Sequence, residues 1–502
     1  MNFEENLSLL RDHYREMNAL RGVQALLNWD QLVMMPSGSA EGRSQQMALI
    51  GGLAYDQTTS PELGLLIEDL ATQIPDLDVD DPIAREIKVA RRNFELATKI
   101  PKAKMLEFIT TTSLAQDIWL HAKEQNDFAS FLPHLEHIVA LLQEYTEYFK
   151  PYDHPYDTLL MQYEPGIKTA EIQAIFDQLR PRQVALIQSI VKSAPPDDSF
   201  RFKPYDLASQ RKLGQYVATL QGYDWQHGRL DETMHPFTTT FGQHDVRITT
   251  HYYTHDLTSA LFSTMHETGH ALYEQGVDHA LAGTSLELLT STALHESQSR
   301  LWENLVGRSK EFCEFIFPTL QAFFPENLAA LNADEFYRGV NKVTPSLIRI
   351  EADEATYNLH IMLRMEIEIG LIEGKVAPKE LPELWNAKMQ DYLGVSPATD
   401  SEGVLQDVHW SGGSLGYFPC YALGNLISAQ LWAKMLTVCP NIPNEIRAGR
   451  FGSILGWLRE NVHAFGGRYD AQELTLRATG EKINPEYYLT YLSNKYGEIY
   501  HF

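Results

Sequence analysis

DLTSALFSTMHETGHALYEQG, residues 256–276, contains His266-Glu267-Thr268-Gly269-His270, an HExxH pattern. At about 100° per residue, His266 and His270 fall about 40° apart on one helical face, with Glu267 at its border. Leu261, Met265 and Leu272 form a separate apolar stripe that can face a core. Asp256 or Thr258 can cap the start and Gly276 can end the helix. Two imidazoles one turn apart can bind one Zn²⁺, and the intervening Glu then adjoins the water that the metal activates.

A third ligand is sought downstream. The segment 285–306, SLELLTSTALHESQSRLWENLVG through residue 307, reads as the next helix and carries Glu296. A loop returning this helix across the first would complete a His₂Glu site with one open position. Glu287 and Glu303 are competing carboxylates on the same segment. His295 can orient a ligand, and Arg300 and Glu303 share the face of Glu296 closely enough to tune it or to form a local salt bridge.

The remainder is also helical in pattern. Leu7, Leu10, Tyr14, Met17 and Leu20 recur at three- and four-residue steps, and similar periodicity marks 84–98, 103–126, 131–149, 169–193, 208–221 and 421–438. Strand-like alternation is best in 237–254, FTTTFGQHDVRITTHYYT. The Pro-rich stretch 195–204 is a linker or, by preference, a surface loop within one body. These features predict a mainly α chain with a small β element just before residue 255.

Composition removes several functions. Over 502 residues, 41 Lys and Arg against 66 Asp and Glu leave a net charge of −25. That balance opposes a nucleic-acid groove and attachment to anionic lipid. Only Cys313, Cys420 and Cys439 occur, without CxxC spacing, so a disulfide framework is not expected and a reducing cytoplasm fits. The start, MNFEENLSLL, lacks a basic, apolar leader, and no run reaches about 18 apolar residues.

Short motifs elsewhere give the metal segment a context. They are Asn28-Trp29-Asp30 through Met35-Pro36 to Arg43, His235-Pro236-Phe237, and Asp245-Val246-Arg247-Ile248-Thr249. Downstream follow HETGH with His295-Glu296-Ser297-Gln298, then Ile348-Arg349-Ile350-Glu351-Ala352-Asp353, and Gly403 to Trp410 (GVLQDVHW). In this order they resemble the metallocarboxypeptidases of peptidase family M32, the carboxypeptidase Taq family, over nearly the whole chain. The resemblance implies a single peptidase domain, residues 1–502, with a two-lobed helical body and a deep central groove, similar to neurolysin and angiotensin-converting enzyme. It implies Zn²⁺ on His266, His270 and Glu296, replaceable by Co²⁺, with Glu267 as general base. It further implies a homodimer that releases single residues from peptide C-termini with broad preference.

Other roles follow from what peptide hydrolysis requires. The developing oxyanion needs donors, and His409 and Tyr417, eight residues apart across Gly412-Gly413, are the candidates that the resemblance to the related helical peptidases favours. Capture of a free α-carboxylate by so acidic a chain requires a fixed cation. Arg349 is the first choice and Arg247 the second. The alternative for each is an ion pair, Arg349 with Asp353 or Arg247 with Asp245. His235 can contact substrate backbone or serve a turn. Two rival functions remain: an oligopeptidase or dipeptidyl carboxypeptidase on the same fold, and a non-catalytic helical peptide-binding protein.

Overall fold

Local caps set most helix limits. The computed structural model describes residues 2–74, 80–289 and 291–502. Helix α1 (Phe3–Val33) opens on a capping box in which Asn2 and Glu5 satisfy each other's backbone amides. Its Leu7, Leu10, Tyr14 and Met17 are buried against Leu63, Ile67, Leu70, Ile87 and Ala90, a small core of its own, while Leu20 is half-buried. Helix α2 (Ala40–Thr58) packs along α1 without burying any residue fully. The N-terminal motif ties this pair together: Arg43 Nη2 donates to Asp30 Oδ2 at 2.5 Å and Nη1 to the Leu27 carbonyl.

The other expected helices appear as Pro82–Thr98, Lys102–Gln125, Phe128–Glu147, Thr169–Ile190, Leu207–Gln221 and Phe418–Val438. Where a start differs, a cap accounts for it. Asp127 accepts from the Ser130 amide, so that helix begins three residues before the expected 131. Stretch 195–204 contributes Phe200 to the main core, and the Tyr205 amide after it donates to the Thr254 carbonyl.

The strand-like region folds as expected, with one addition. Strands β1 (Leu230–Glu232), β2 (Thr238–Thr240) and β3 (Val246–Thr250) form a sheet of order β1-β3-β2. β1 pairs parallel with β3, Leu230 opposite Ile248, and β2 pairs antiparallel, Thr240 opposite Val246. β1 was not legible because its three residues, LDE, lack apolar alternation. Val246 and Ile248 bury against Ala271 of helix α3 (Leu257–Glu274). The sheet is thus a brace for the HExxH helix.

Helix α4 (Thr292–Arg300) packs on α3, and both α4 and α5 (Glu354–Ile372) pack on α6 (Phe418–Val438). The main core links residues from Ile100 to Tyr500, and α5 is buried along almost its whole length. The chain is mainly α, in agreement with the sequence reading. No described helix is long and apolar enough to cross a membrane.

Candidate metal centre

The HExxH helix is built as its sequence dictates. The Asp256 carboxylate accepts from the Thr258 and Ser259 amides and caps α3. Its far end departs from expectation: the helix stops at Glu274, and Gly276 is not a left-handed terminator. A Cβ at Gly276 would lie 2.6 Å from His463 Nδ1, so the residue makes room for that ring instead.

The following helix also starts later than the expected 285. Ser291 caps α4, its Oγ accepting from the Leu294 amide. The Ser291 hydroxyl and the Ala293 amide both donate to buried Glu164. Residue 290, within the expected helix, lies outside the described residues. Beyond Arg300 the helix widens into a π-helical stretch, Leu301–Gly307. Glu287 is removed from competition, since its carboxylate accepts from Asn18 Nδ2 and the Gly283 amide.

Two glycines let α4 approach closely enough to matter. A Cβ on Gly269, inside HETGH, would lie 2.7 Å from the Gln298 carbonyl oxygen and 2.8 Å from Ser299 Cα. One on Gly424 of α6 would lie 2.7 Å from Glu296 Cγ. α4 is therefore held between α3 and α6 with Glu296 facing the two histidines. Glu296 Oε2 is 3.4 Å from His270 Nε2 and 3.8 Å from His266 Nε2. One donor atom from each of the three residues lies within 4.8 Å of the others. A tetrahedral ion with N and O donors at about 2.0–2.2 Å sets neighbouring donors about 3.3–3.6 Å apart, close to the 3.4 and 3.8 Å found from Glu296 to the two histidines, so the triad suits such an ion.

The surroundings favour positive charge at this point. Burial alone would depress His266, but Glu296 and Glu303 outweigh it and raise its pKa. The same carboxylates favour a divalent cation in place of that proton. Burial lowers His270 to about 3, leaving it neutral as a ligand must be. Glu296 is held well below the carboxylate range despite burial, by Arg300 and the two histidines. His266 Nδ1 lies 2.8 Å from Glu303 Oε2, and Arg300 Nε donates to Glu296 Oε1 at 2.7 Å. His295 stacks on His270 at 4.4 Å between centroids and reaches Glu274. Glu267 adjoins the triad, its buried carboxyl raised in pKa and its Oε2 accepting from Thr238 Oγ1 at 2.7 Å.

The remaining candidates divide into two groups. His409 and Tyr417 pack 5.5 Å apart between ring centroids, and Tyr421, which the sequence reading did not single out, joins them. Its hydroxyl is 3.4 Å from His409 Nε2. Burial lowers His409 to about 4, so the ring is neutral at pH 7. Arg349 lies under this aromatic group, 5.1 Å from the Tyr421 ring centre. It does not pair with Asp353, which instead accepts the Ala355 and Thr356 amides as the cap of α5. Its partners are Asp407, through Nε and Nη2, and the Tyr357 hydroxyl, through Nη1. Asp407 also receives Arg364.

Arg247 and His235 lie elsewhere. Arg247 lies against the Trp29 and Phe241 rings, at 4.5 and 4.6 Å, and forms the bidentate pair with Asp245 that was its alternative role. His235 is exposed, three residues before Thr238. An apolar groove of about 790 Å³ lined by Leu20, Val23 and Leu53 contains none of the candidates, whereas a polar cavity of about 200 Å³ includes Arg300 and Glu303.

Comparison with known proteins agrees with this architecture. Residues 9–496 match the family model described as Carboxypeptidase Taq (M32) metallopeptidase. Carboxypeptidase 1 of Bacillus subtilis (strain 168) is 40% identical over 477 residues, 95% of either chain. Thermostable carboxypeptidase 1 of Thermus thermophilus is 39% identical over 98% of each. The crystal structure of the M32 carboxypeptidase from Deinococcus radiodurans R1 superposes with a TM-score of 0.96 at 40% identity, covering 99% of this chain and 100% of the other. Helices that meet through Gly269 and Gly424 around a His₂Glu cluster thus occur here in a chain that belongs to the carboxypeptidase Taq (M32) metallopeptidase family, a family of peptide hydrolases.

Proposed function

We propose that the protein is a zinc-dependent carboxypeptidase that releases single residues from the free C-termini of peptides with broad preference. One observation carries this reading: the buried Glu267 carboxylate adjoins a His266–His270–Glu296 triad whose donor atoms lie within 4.8 Å. When bound, zinc supplies an activated water and polarises the scissile carbonyl, and cobalt can replace it. Glu267 takes the water proton and delivers it to the leaving amine, a role suited to a carboxyl raised by burial. Thr238 holds that carboxylate in place. His409 and Tyr417, with Tyr421 beside them, donate to the developing oxyanion.

Arg349 is our choice for the substrate α-carboxylate. Of the five N–H groups of a guanidinium, three are engaged by Asp407 and Tyr357. The guanidinium carbon itself lies 5.1 Å from the Tyr421 ring centre, beside the oxyanion donors. Arg247 is a weaker choice because Asp245 already engages its guanidinium through Nε and Nη2 and two aromatic rings pack against it. His235, exposed near Thr238, is retained as a contact to substrate backbone.

We also propose a single peptidase domain acting as a homodimer in the cytoplasm. The unpaired state of Cys313, Cys420 and Cys439 supports a reducing compartment. The testing experiment joins metal analysis of purified protein to mass-resolved digestion of a peptide and its C-terminally amidated counterpart. Zinc with one-residue trimming of the free peptide alone is expected. Internal cleavage of the amidated peptide would instead support an oligopeptidase, and no cleavage of either a binding protein.

A further inference from the structure

The loop that joins His409 to Tyr417 is held at both ends by a single side chain. Glu368, on α5, is fully buried. Its Oε1 accepts from Trp410 Nε1 at 2.8 Å, and its Oε2 from the Gly416 amide at 3.0 Å. Trp410 follows His409 and Gly416 precedes Tyr417. The Tyr156 hydroxyl donates to the same Oε2 at 2.6 Å and aims the carboxylate from behind. Four residues earlier on α5, Arg364 binds Asp407 and Gln406, the residues that lead into the loop.

The loop has little freedom between these points. Gly416 adopts φ of +96°, and a Cβ there would lie 2.8 Å from the Leu159 carbonyl carbon. The Ser414 amide closes back on the His409 carbonyl at 2.9 Å. Among the described residues no cation is bonded to this carboxylate, and burial raises Glu368 to about 7 against the pull of its three donors and of the nearby Arg364 charge. An apolar residue would avoid that burial penalty but take the acceptor from all three donors.

We propose that Glu368 is a positioning residue: its carboxylate fixes the spacing and orientation of His409 and Tyr417 by gripping Trp410 and Gly416. The inference rests on the reading of His409 and Tyr417 as oxyanion donors. Catalytic donors tolerate little displacement, since a misplacement of about 1 Å costs up to about 100-fold in rate.

Glu368→Gln tests this. The amide oxygen can keep Tyr156 and Gly416, but the amide nitrogen then faces the Trp410 N–H, donor against donor. We expect kcat to fall about 10- to 100-fold, with KM and zinc affinity within about twofold of the parent. Adding Trp410→Phe removes the conflicting donor, so the double variant should be faster than Glu368→Gln alone. A kcat within twofold of the parent overturns the proposal. So does a loss shared equally with KM or zinc binding, or a double variant with merely additive losses. If Glu368→Gln is insoluble, Tyr156→Phe carries the test: it removes one donor remote from the reacting atoms, and an unchanged kcat overturns the proposal. Tyr417→Phe and His409→Ala, measured alongside, separate the two readings. If they lose kcat while the Glu368 variants do not, the donors stand and the grip falls. If they retain kcat, the donor reading itself falls.

Discussion

His266 Nδ1 and Glu303 Oε2 are 2.8 Å apart, so the outer nitrogen of the first histidine is held by a carboxylate from the π-helical stretch after α4. This bond selects the His266 tautomer that leaves Nε2 free for a metal. Arg300 links the arrangement to the third ligand by contacting both Glu303 and Glu296. Glu303→Gln should therefore weaken zinc binding about 10- to 100-fold, the usual effect of losing such a partner. Competition with a chromophoric chelator measures this. Equal affinity in parent and variant would show that Glu303 does not orient His266.

The glycines make a different prediction. Gly269→Ala places a methyl against the Gln298 and Ser299 backbone, where no side chain can swing away. We expect a loss of roughly 1–3 kcal/mol in stability, as overpacking typically costs. Gly424→Ala places its methyl against the Glu296 side chain itself. It should reduce zinc affinity more than Gly269→Ala does at comparable stability. Melting temperatures of metal-free proteins, set beside chelator competition, distinguish the two effects.

What the sequence could show follows the range of each interaction. The HExxH face and the Asp256 cap lie within single turns of one helix, and both are present at the expected positions. The mainly α character follows for the same reason. The start of α4 was not legible, because Glu164, 127 residues away, receives Ser291. Nor was the partner of Arg349: local spacing suggested Asp353, but that carboxylate is occupied by amides at the α5 N-terminus. Asp407, 58 residues on, takes its place. Gly269 and Gly424 carried no signal of their role, since close approach of α4 is a property of three helices together.

Arg349 and Arg247 separate by kinetics. Arg349→Ala leaves Asp407 paired with buried Arg364, so the fold should persist. We expect KM for short peptides to rise at least about tenfold, the loss of one charge-assisted bond of about 1.5–3 kcal/mol, with zinc content unchanged. Arg247→Ala should leave KM within twofold and lower stability instead, through loss of its Trp29 and Phe241 contacts. The reverse pattern would transfer carboxylate recognition to Arg247.

Glu164 predicts a pH dependence of stability. It is fully buried, its Oε1 and Oε2 accepting from the Ser291 hydroxyl at 2.7 Å and the Ala293 amide at 2.9 Å. Burial raises its pKa to about 8, against the pull of those two donors. Between an unfolded pKa of about 4.3 and this folded value, the native state retains a proton that the unfolded chain has lost. Raising pH through that window therefore favours unfolding, and the effect levels off above about 8. Glu164→Gln removes the titration. Its amide oxygen can accept from Ala293, and its NH₂ can donate to Ser291 Oγ, which still caps Leu294. The variant's melting temperature relative to the parent should accordingly rise from pH 5 to pH 9. A difference that stays constant with pH would show that Glu164 keeps one protonation state in both folded and unfolded chains.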